Sequence, residues 1–276
     1  MTLFGRTGAG ATGPDELADG LAELGLRRDD AVIVHASLSS LGRFRGGARA
    51  VAETLRGELG TVLTPAFTYY TMVWPEEQRR PDWPARVPPD TGQAFTPASP
   101  VSRDIGRVAQ ALLESPGATR TRHPVLSFVG HGERAAEFLA AQTLDRPYEP
   151  LGRLGAAGGW VLLIGVGQVV NSSIHHAEHL AGRPALTRYA RVAGRIVRFP
   201  FPNCSADFGG IDPALRGVRR ARIGAAQARA VRVEEVARAV VEALTADPAA
   251  LLCRHPGCRC QAVRRLVAER AVGIVG

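Results

Sequence analysis

Residues 30–68, DAVIVHASLSSLGRFRGGARAVAETLRGELGTVLTPAFT, decide the fold class. Asp30 to His35 is a short run of β-branched apolar residues ending at a histidine, the pattern of a buried strand. A serine- and glycine-rich loop follows, then an amphipathic helix that opens near Gly46 or Gly47 and closes at Gly60. Thr61 to Thr68 is a second apolar strand. Strand, loop, helix and strand make a βαβ unit, in which the helix carries the chain back so that the two strands run parallel. The expectation is an α/β protein with a parallel core.

Working outward, Trp160 to Val166 (WVLLIGV) is the strongest further strand, and Gly165, Gly167 and Asn171 lead from its carboxyl end into the helix-like segment IHHAEHLAG. Ligands of α/β proteins collect at such strand ends. Helical periodicity recurs at Asp15–Leu26, Ser102–Leu113, Glu133–Ala141 and Val233–Ala246. Val125–Val129 is apolar, Arg195–Phe199 reads as an edge strand, and Met1–Gly13 as a weakly docked arm. From Tyr69 to Pro100 there are seven prolines and little periodicity. A loop of that length is usually a lid or binding loop. No internal repeat is visible, and residues 1–276 read as one domain with a cysteine-bearing tail at 247–276.

Composition narrows the class. The 276 residues are 45% hydrophobic and 22% charged, enough apolar surface to offset the entropy of ordering. No apolar run approaches the roughly 20 residues of a membrane span. The N-terminus lacks the continuous apolar core of a secretory signal, so a cytoplasmic protein is expected. The net charge is +8, and all 34 basic residues are arginine. Without lysine there is neither a Schiff base nor an amine nucleophile, and the phosphate-binding loop that requires lysine is excluded. The arginines are scattered and aromatic residues are 6%, which argues against a nucleic-acid stacking platform.

Three segments carry chemistry. In NSSIHHAEHLAG, His175 and Glu178 stand at i and i+3 on a helix, and His175 and His179 at i and i+4, so they share a face. A carboxylate-oriented imidazole suits proton abstraction from a nucleophile. A zinc site of His175, His179 and Glu178 is the competing reading, but the metalloprotease spacing is absent. An exposed polar helix face is the third. The loop HASLSSLGRFRGG offers hydroxyls, backbone N–H groups and a helix N-terminus to an anion. TRTRHPVLSF is a basic loop ahead of a strand.

These motifs occur in order with two others: VHASLSSLGRFRGGARAV, AFTPASPVSRDIG, TRTRHPVLSF, EPLGRLGAAGGWVLLIGVGQVVNSSIHHAEHLAG and NCSADFGGI. Together they resemble the aminoglycoside 3-N-acetyltransferase family over about Asp15 to Arg265. The resemblance implies a three-layer αβα sandwich with a central mostly parallel or mixed sheet, unrelated to the commoner acetyltransferase superfamily. It also implies direct transfer from acetyl-CoA to a substrate amine, that of an aminoglycoside. His175 would be the general base and Glu178 would orient it. Ser37, Leu38, Ser39, Gly46 and Gly47 would cradle CoA, helped by Arg122, Ser127 and Phe128. A biosynthetic N-acyltransferase for another small amine is the runner-up. A CoA- or nucleic-acid-binding module without catalysis is the reading from another class. Homodimerisation is left open.

There are departures. Ser172 stands where threonine is usual, and Phe95-Thr96-Pro97 replaces phenylalanine-aspartate-proline, removing an acid near the acceptor. The acidic candidates that remain are Glu76, Glu77, Asp82, Asp90 and Asp207. The four cysteines are a separate question. Cys253 and Cys258 have a zinc-site gap, and Cys260 with either Cys204 or His255 would complete a tetrahedral structural site. Ordinary buried thiols are the alternative.

Overall fold

The computed structural model describes residues 12–80, 83 and 90–271. Its framework is a seven-stranded sheet in the order β4-β5-β2-β1-β6-β10-β9. The strands are β1 (Ala31–Ala36), β2 (Thr61–Pro65), β4 (Thr119–Arg120), β5 (Phe128–Gly132), β6 (Trp160–Ile164), β9 (Arg219–Ile223) and β10 (Ala226–Arg232). A separate three-stranded antiparallel sheet holds β3 (Met72–Val73), β7 (Leu186–Val192) and β8 (Arg195–Phe201).

The parallel core is β2-β1-β6, as the βαβ unit required. On both sides the sheet continues antiparallel, through β5 and β4 at one edge and β10 and β9 at the other. It is therefore mixed. The central strands are buried on both faces, and their alternate residues feed two cores. Val32, Val34, Val62, Leu162 and Ile164 pack against α1 (Pro14–Glu23), α2 (Gly47–Glu58) and α3 (Arg107–Glu114). Ile33, Leu63, Val161 and Leu163 face the opposite layer. That layer holds α4 (Ala135–Leu139), α5 (Glu149–Ala156), α6 (Ser172–Leu180), α7 (Val233–Ala246) and α8 (Cys260–Ala271). This is a three-layer αβα arrangement.

Local chemistry accounts for the element ends. Pro14 opens α1, and Glu16 accepts the Gly13 N–H at 2.7 Å. Gly46, at φ 77°, turns the chain into α2 in the left-handed conformation that favours glycine. The hairpin β9–β10 escapes a reading of hydrophobic runs because its sequences are RRARI and AQARAVR. Alanine is a poor strand former. Here Ala221, Ala228 and Ala230 face inward while arginines alternate outward, and Arg219 and Arg232 stack on the Trp160 ring at 4.2 and 3.8 Å. Within the excursion from Tyr69, β3 joins β7; Asp82 lies outside the described residues.

Candidate active site

The connections decide where a site can form. The chain leaves β1 for α2 in one outer layer and leaves β6 for α6 in the other. The carboxyl ends of these adjacent parallel strands therefore open a crevice between diverging loops. A cavity of about 700 Å³ occupies this position. Ser37, Leu38 and Ser39 line it from the loop after β1, Phe67 and Tyr69 from beyond β2, and Val169, Val170, Asn171, Ser172 and His175 from the segment after β6.

Asn171 starts α6 by accepting the Ser173 N–H at 3.0 Å through its side-chain oxygen. The Ser172 N–H meets His35 Nε2 at 3.4 Å. Burial lowers the His35 pKa to about 3, so this ring stays neutral and accepts. One turn into α6, His175 Nδ1 lies 2.8 Å from Glu178 Oε2. The other carboxylate oxygen, Oε1, accepts from Arg183 Nη1 at 2.6 Å and from Asn203 Nδ2 at 3.0 Å. Burial would raise the Glu178 pKa; the hydrogen bond and charge of His175, the charge of Arg183 and the Asn203 amide outweigh it and hold the carboxyl below its ordinary range. With Nδ1–H donated to the carboxylate, Nε2 is the nitrogen left with a lone pair. The imidazole is held between Tyr148 and Phe208, whose ring centroids lie 5.4 and 4.8 Å away. Burial raises Tyr148 well above the ordinary phenol value and Tyr69 to about 12, so both phenols remain protonated.

Not every expected residue reaches the cavity. Gly46 and Gly47 open α2 outside its lining, and Arg122 is exposed elsewhere. Ser127 is fully buried, donating to the Ala66 carbonyl at 2.8 Å and accepting from Arg120 Nε at 3.1 Å. Phe128 is core, in edge contact with Phe67. In the third motif, Arg120 is the residue with a structural task. It donates to the carbonyls of Pro97, Ser99 and Ala66 and stacks on Phe95, which ties the proline-rich excursion to the end of β2. The quoted motifs contain Arg120 and Asn203 without showing what they bond, Arg183 follows the histidine motif directly, and Arg259 joins from the cysteine-bearing tail.

The four cysteine sulfurs lie within 4.8 Å of one another. Four sulfurs around zinc at about 2.3 Å are separated by roughly 3.8 Å, so the set has tetrahedral dimensions. His255 is not among the converging donors, and among the described residues no grouping of His175, His179 and Glu178 offers a second metal site.

Fold and site define an α/β protein with a histidine–glutamate dyad at a strand-end cavity. The chain belongs to the aminoglycoside 3-N-acetyltransferase family, whose model matches residues 33–245. It is 35% identical over 195 residues to aminoglycoside N(3)-acetyltransferase IX of Micromonospora chalcea, covering 66% of each chain. It is 28% identical over 254 residues to aminoglycoside N(3)-acetyltransferase IV of Salmonella sp, covering 87% of this chain and 90% of that one. Matches to the type IX, VII and VIII enzymes span 66%, 60% and 59% of their lengths, so the chain covers two thirds or less of these relatives. Among solved structures, the apoenzyme of aminoglycoside acetyltransferase AAC(3)-IVa superposes with a TM-score of 0.77 at 27% identity, covering 92% of this chain and 98% of that one. AAC-IIIb in a binary complex with CoASH gives 0.70 at 30% identity, covering 84% and 96%.

Proposed function

We propose that the protein is an acetyl-CoA-dependent N-acetyltransferase acting on an amine of an aminoglycoside or related amino sugar. The observation that carries this reading is the His175–Glu178 dyad on the wall of a cavity large enough for a thioester arm and an acceptor. The acceptor class is supported by the names of the relatives and the donor by the CoASH complex of AAC-IIIb.

In the reaction, the acceptor nitrogen attacks the thioester carbonyl carbon and gives its proton to His175 Nε2. The carbon–sulfur bond then breaks, and the imidazolium returns the proton to the departing sulfur. Glu178 stabilises the imidazolium and fixes the tautomer. Ser37 to Ser39, with Arg107 at the start of α3 also lining the cavity, would face the anionic part of CoA. Reactants held at about 3–3.5 Å would draw much of the rate from positioning. Cys204, Cys253, Cys258 and Cys260 would hold a structural zinc, which closes all four positions and takes no part in transfer. No helix among the described residues is long and apolar enough to cross a membrane, which accords with the cytoplasmic location proposed for the enzyme.

The test is His175→Ala. It should reduce release of CoA thiol in the presence of an amino-sugar acceptor by at least about a hundredfold while leaving CoA binding, measured by calorimetry, within a few-fold. Undiminished turnover would remove His175 as the base.

A further inference from the structure

The phenol beside the imidazole is buried and has no partner in the protein. Tyr148 stands just before α5 and is 6% exposed. Its ring is held edge-on by Phe67 and Phe128, each with its centroid 6.2 Å away, and packs against the His175 ring at 5.4 Å. A buried tyrosine hydroxyl ordinarily finds a hydrogen-bond partner. Among the described residues no hydrogen bond joins this one to another group, and Tyr148 lines the main cavity.

The charge around this hydroxyl favours an anion next to it. Arg259 also lines the cavity, and its Nε and Nη2 donate to the Pro202 and Asn203 carbonyls at 3.2 and 3.0 Å. Both acceptors are backbone oxygens, and among the described residues no carboxylate pairs with Arg259, so its charge is positioned without being neutralised. Burial, with Tyr69 and the charge of Glu178, keeps the Tyr148 phenol protonated, while Arg259 acts the other way and favours negative charge at its oxygen. A cation that favours negative charge there also favours it on an oxygen accepting the phenolic hydrogen. Glu178 opposes this, but Arg183 pairs with that carboxylate, and His175 becomes positive as it takes the acceptor's proton.

Addition of the acceptor to the thioester creates the oxygen that this hydroxyl lacks. The nitrogen bonds to the carbonyl carbon, the π pair moves onto oxygen, and His175 Nε2 takes the proton. Collapse restores the carbonyl as the carbon–sulfur electrons leave with the sulfur, which recovers the proton. While the oxygen is negative it lies two bonds from a nitrogen that is hydrogen-bonded to Nε2. Of the phenols lining the cavity, Tyr148 is the one packed against that imidazole; the ring contacts of Tyr69 are with Phe67 and Phe201. We propose that Tyr148 is a catalytic residue, donating its phenolic hydrogen to the thioester carbonyl oxygen as the acceptor nitrogen adds. This rests on the reading of the cavity as the site of acetyl transfer.

The test is Tyr148→Phe, which keeps the ring and removes the O–H. Because that hydroxyl holds nothing in the protein, Tm and the Kd for CoA should match wild type. The kcat for thiol release with an amino-sugar acceptor should fall about a hundredfold, the scale of one oxyanion donor. The acidic limb of the kcat profile should stay in place, since the dyad is untouched. Difference infrared spectra of bound acetyl-CoA, isotope-labelled at its carbonyl carbon, give a readout that needs no acceptor. The carbonyl band should lie at lower frequency in the wild type than in the variant, because a donated hydrogen weakens the C=O bond. A kcat within about threefold of wild type, or coincident carbonyl bands, overturns the proposal. A fall in kcat accompanied by movement of the acidic limb also overturns it, by making Tyr148 a residue that acts through His175. Wild-type protein that binds acetyl-CoA but releases no thiol with any amino sugar strikes at the acetyl-transfer reading instead, with the infrared comparison still deciding whether Tyr148 meets the carbonyl. Normal wild-type turnover with an unimpaired Phe variant refutes only the role of Tyr148.

Discussion

Asn203 donates its side-chain amide to Glu178 Oε1 at 3.0 Å, and the next residue, Cys204, belongs to the four-sulfur cluster. The carboxylate that orients His175 is thus held from two directions. Arg183 reaches it from just beyond α6 and also donates to the Pro248 and Ala250 carbonyls, while Asn203 reaches it from the segment after β8. Local helix geometry brings His175 and Glu178 together, but the tail determines how firmly the pair is set.

Removing the Asn203 amide tests that second hold. Asn203→Leu should lower kcat about tenfold, the scale of one charge-assisted hydrogen bond, with the KM for acetyl-CoA little changed. The bond favours the ionised carboxyl, so its loss raises the Glu178 pKa. The acidic limb of the kcat profile should therefore move to higher pH. A variant whose kcat falls without movement of that limb would assign Asn203 to packing alone.

The cysteine cluster makes a separate prediction. Purified protein should contain about one zinc per chain by elemental analysis. Chelation, or Cys253→Ser, should cost roughly 2 kcal/mol or more and lower Tm by several degrees, because metal affinity is linked to folding. Activity should fall with stability, since Arg259, Asn203 and the carbonyls that receive Arg183 all belong to or adjoin this region. Metal-free protein with an unaltered Tm would leave the sulfurs as ordinary buried thiols.

What could be read in advance follows the range of the interactions involved. The parallel core was legible because Asp30–His35 and Trp160–Val166 announce buried strands by continuous apolar runs. The dyad was legible because i and i+3 spacing on α6 is a local geometric fact. Asn203 and Arg259 stand 25 and 81 positions from Glu178, and no periodicity connects them. Strands β9 and β10 were hidden for another reason: an arginine–alanine alternation becomes half-buried only once Trp160 supplies a ring for the arginines and the sheet supplies room for the alanines. For Ser127 and Phe128 the resemblance implies contact with CoA, whereas both side chains are fully buried in the structure.

The neutral state of His35 gives the last prediction. Its ring is buried, its pKa is lowered from 6.5 to about 3, and Nε2 accepts the N–H that begins α6. Between those two values an unfolded chain binds a proton at this position that the folded chain does not. Stability is therefore unaffected by this group above about pH 6.5 and declines as pH falls towards 3, by up to about 1.4 kcal/mol per pH unit. His123, lowered to about 4 by burial, adds a similar contribution over a narrower range. His35→Gln should reduce the slope of unfolding free energy against pH between 6 and 4.5 by close to one proton's worth, as measured by urea titration. A slope identical to wild type would mean that His35 can be protonated in the folded protein. In that case the start of α6, and with it the placement of His175 three residues on, could not depend on a neutral ring.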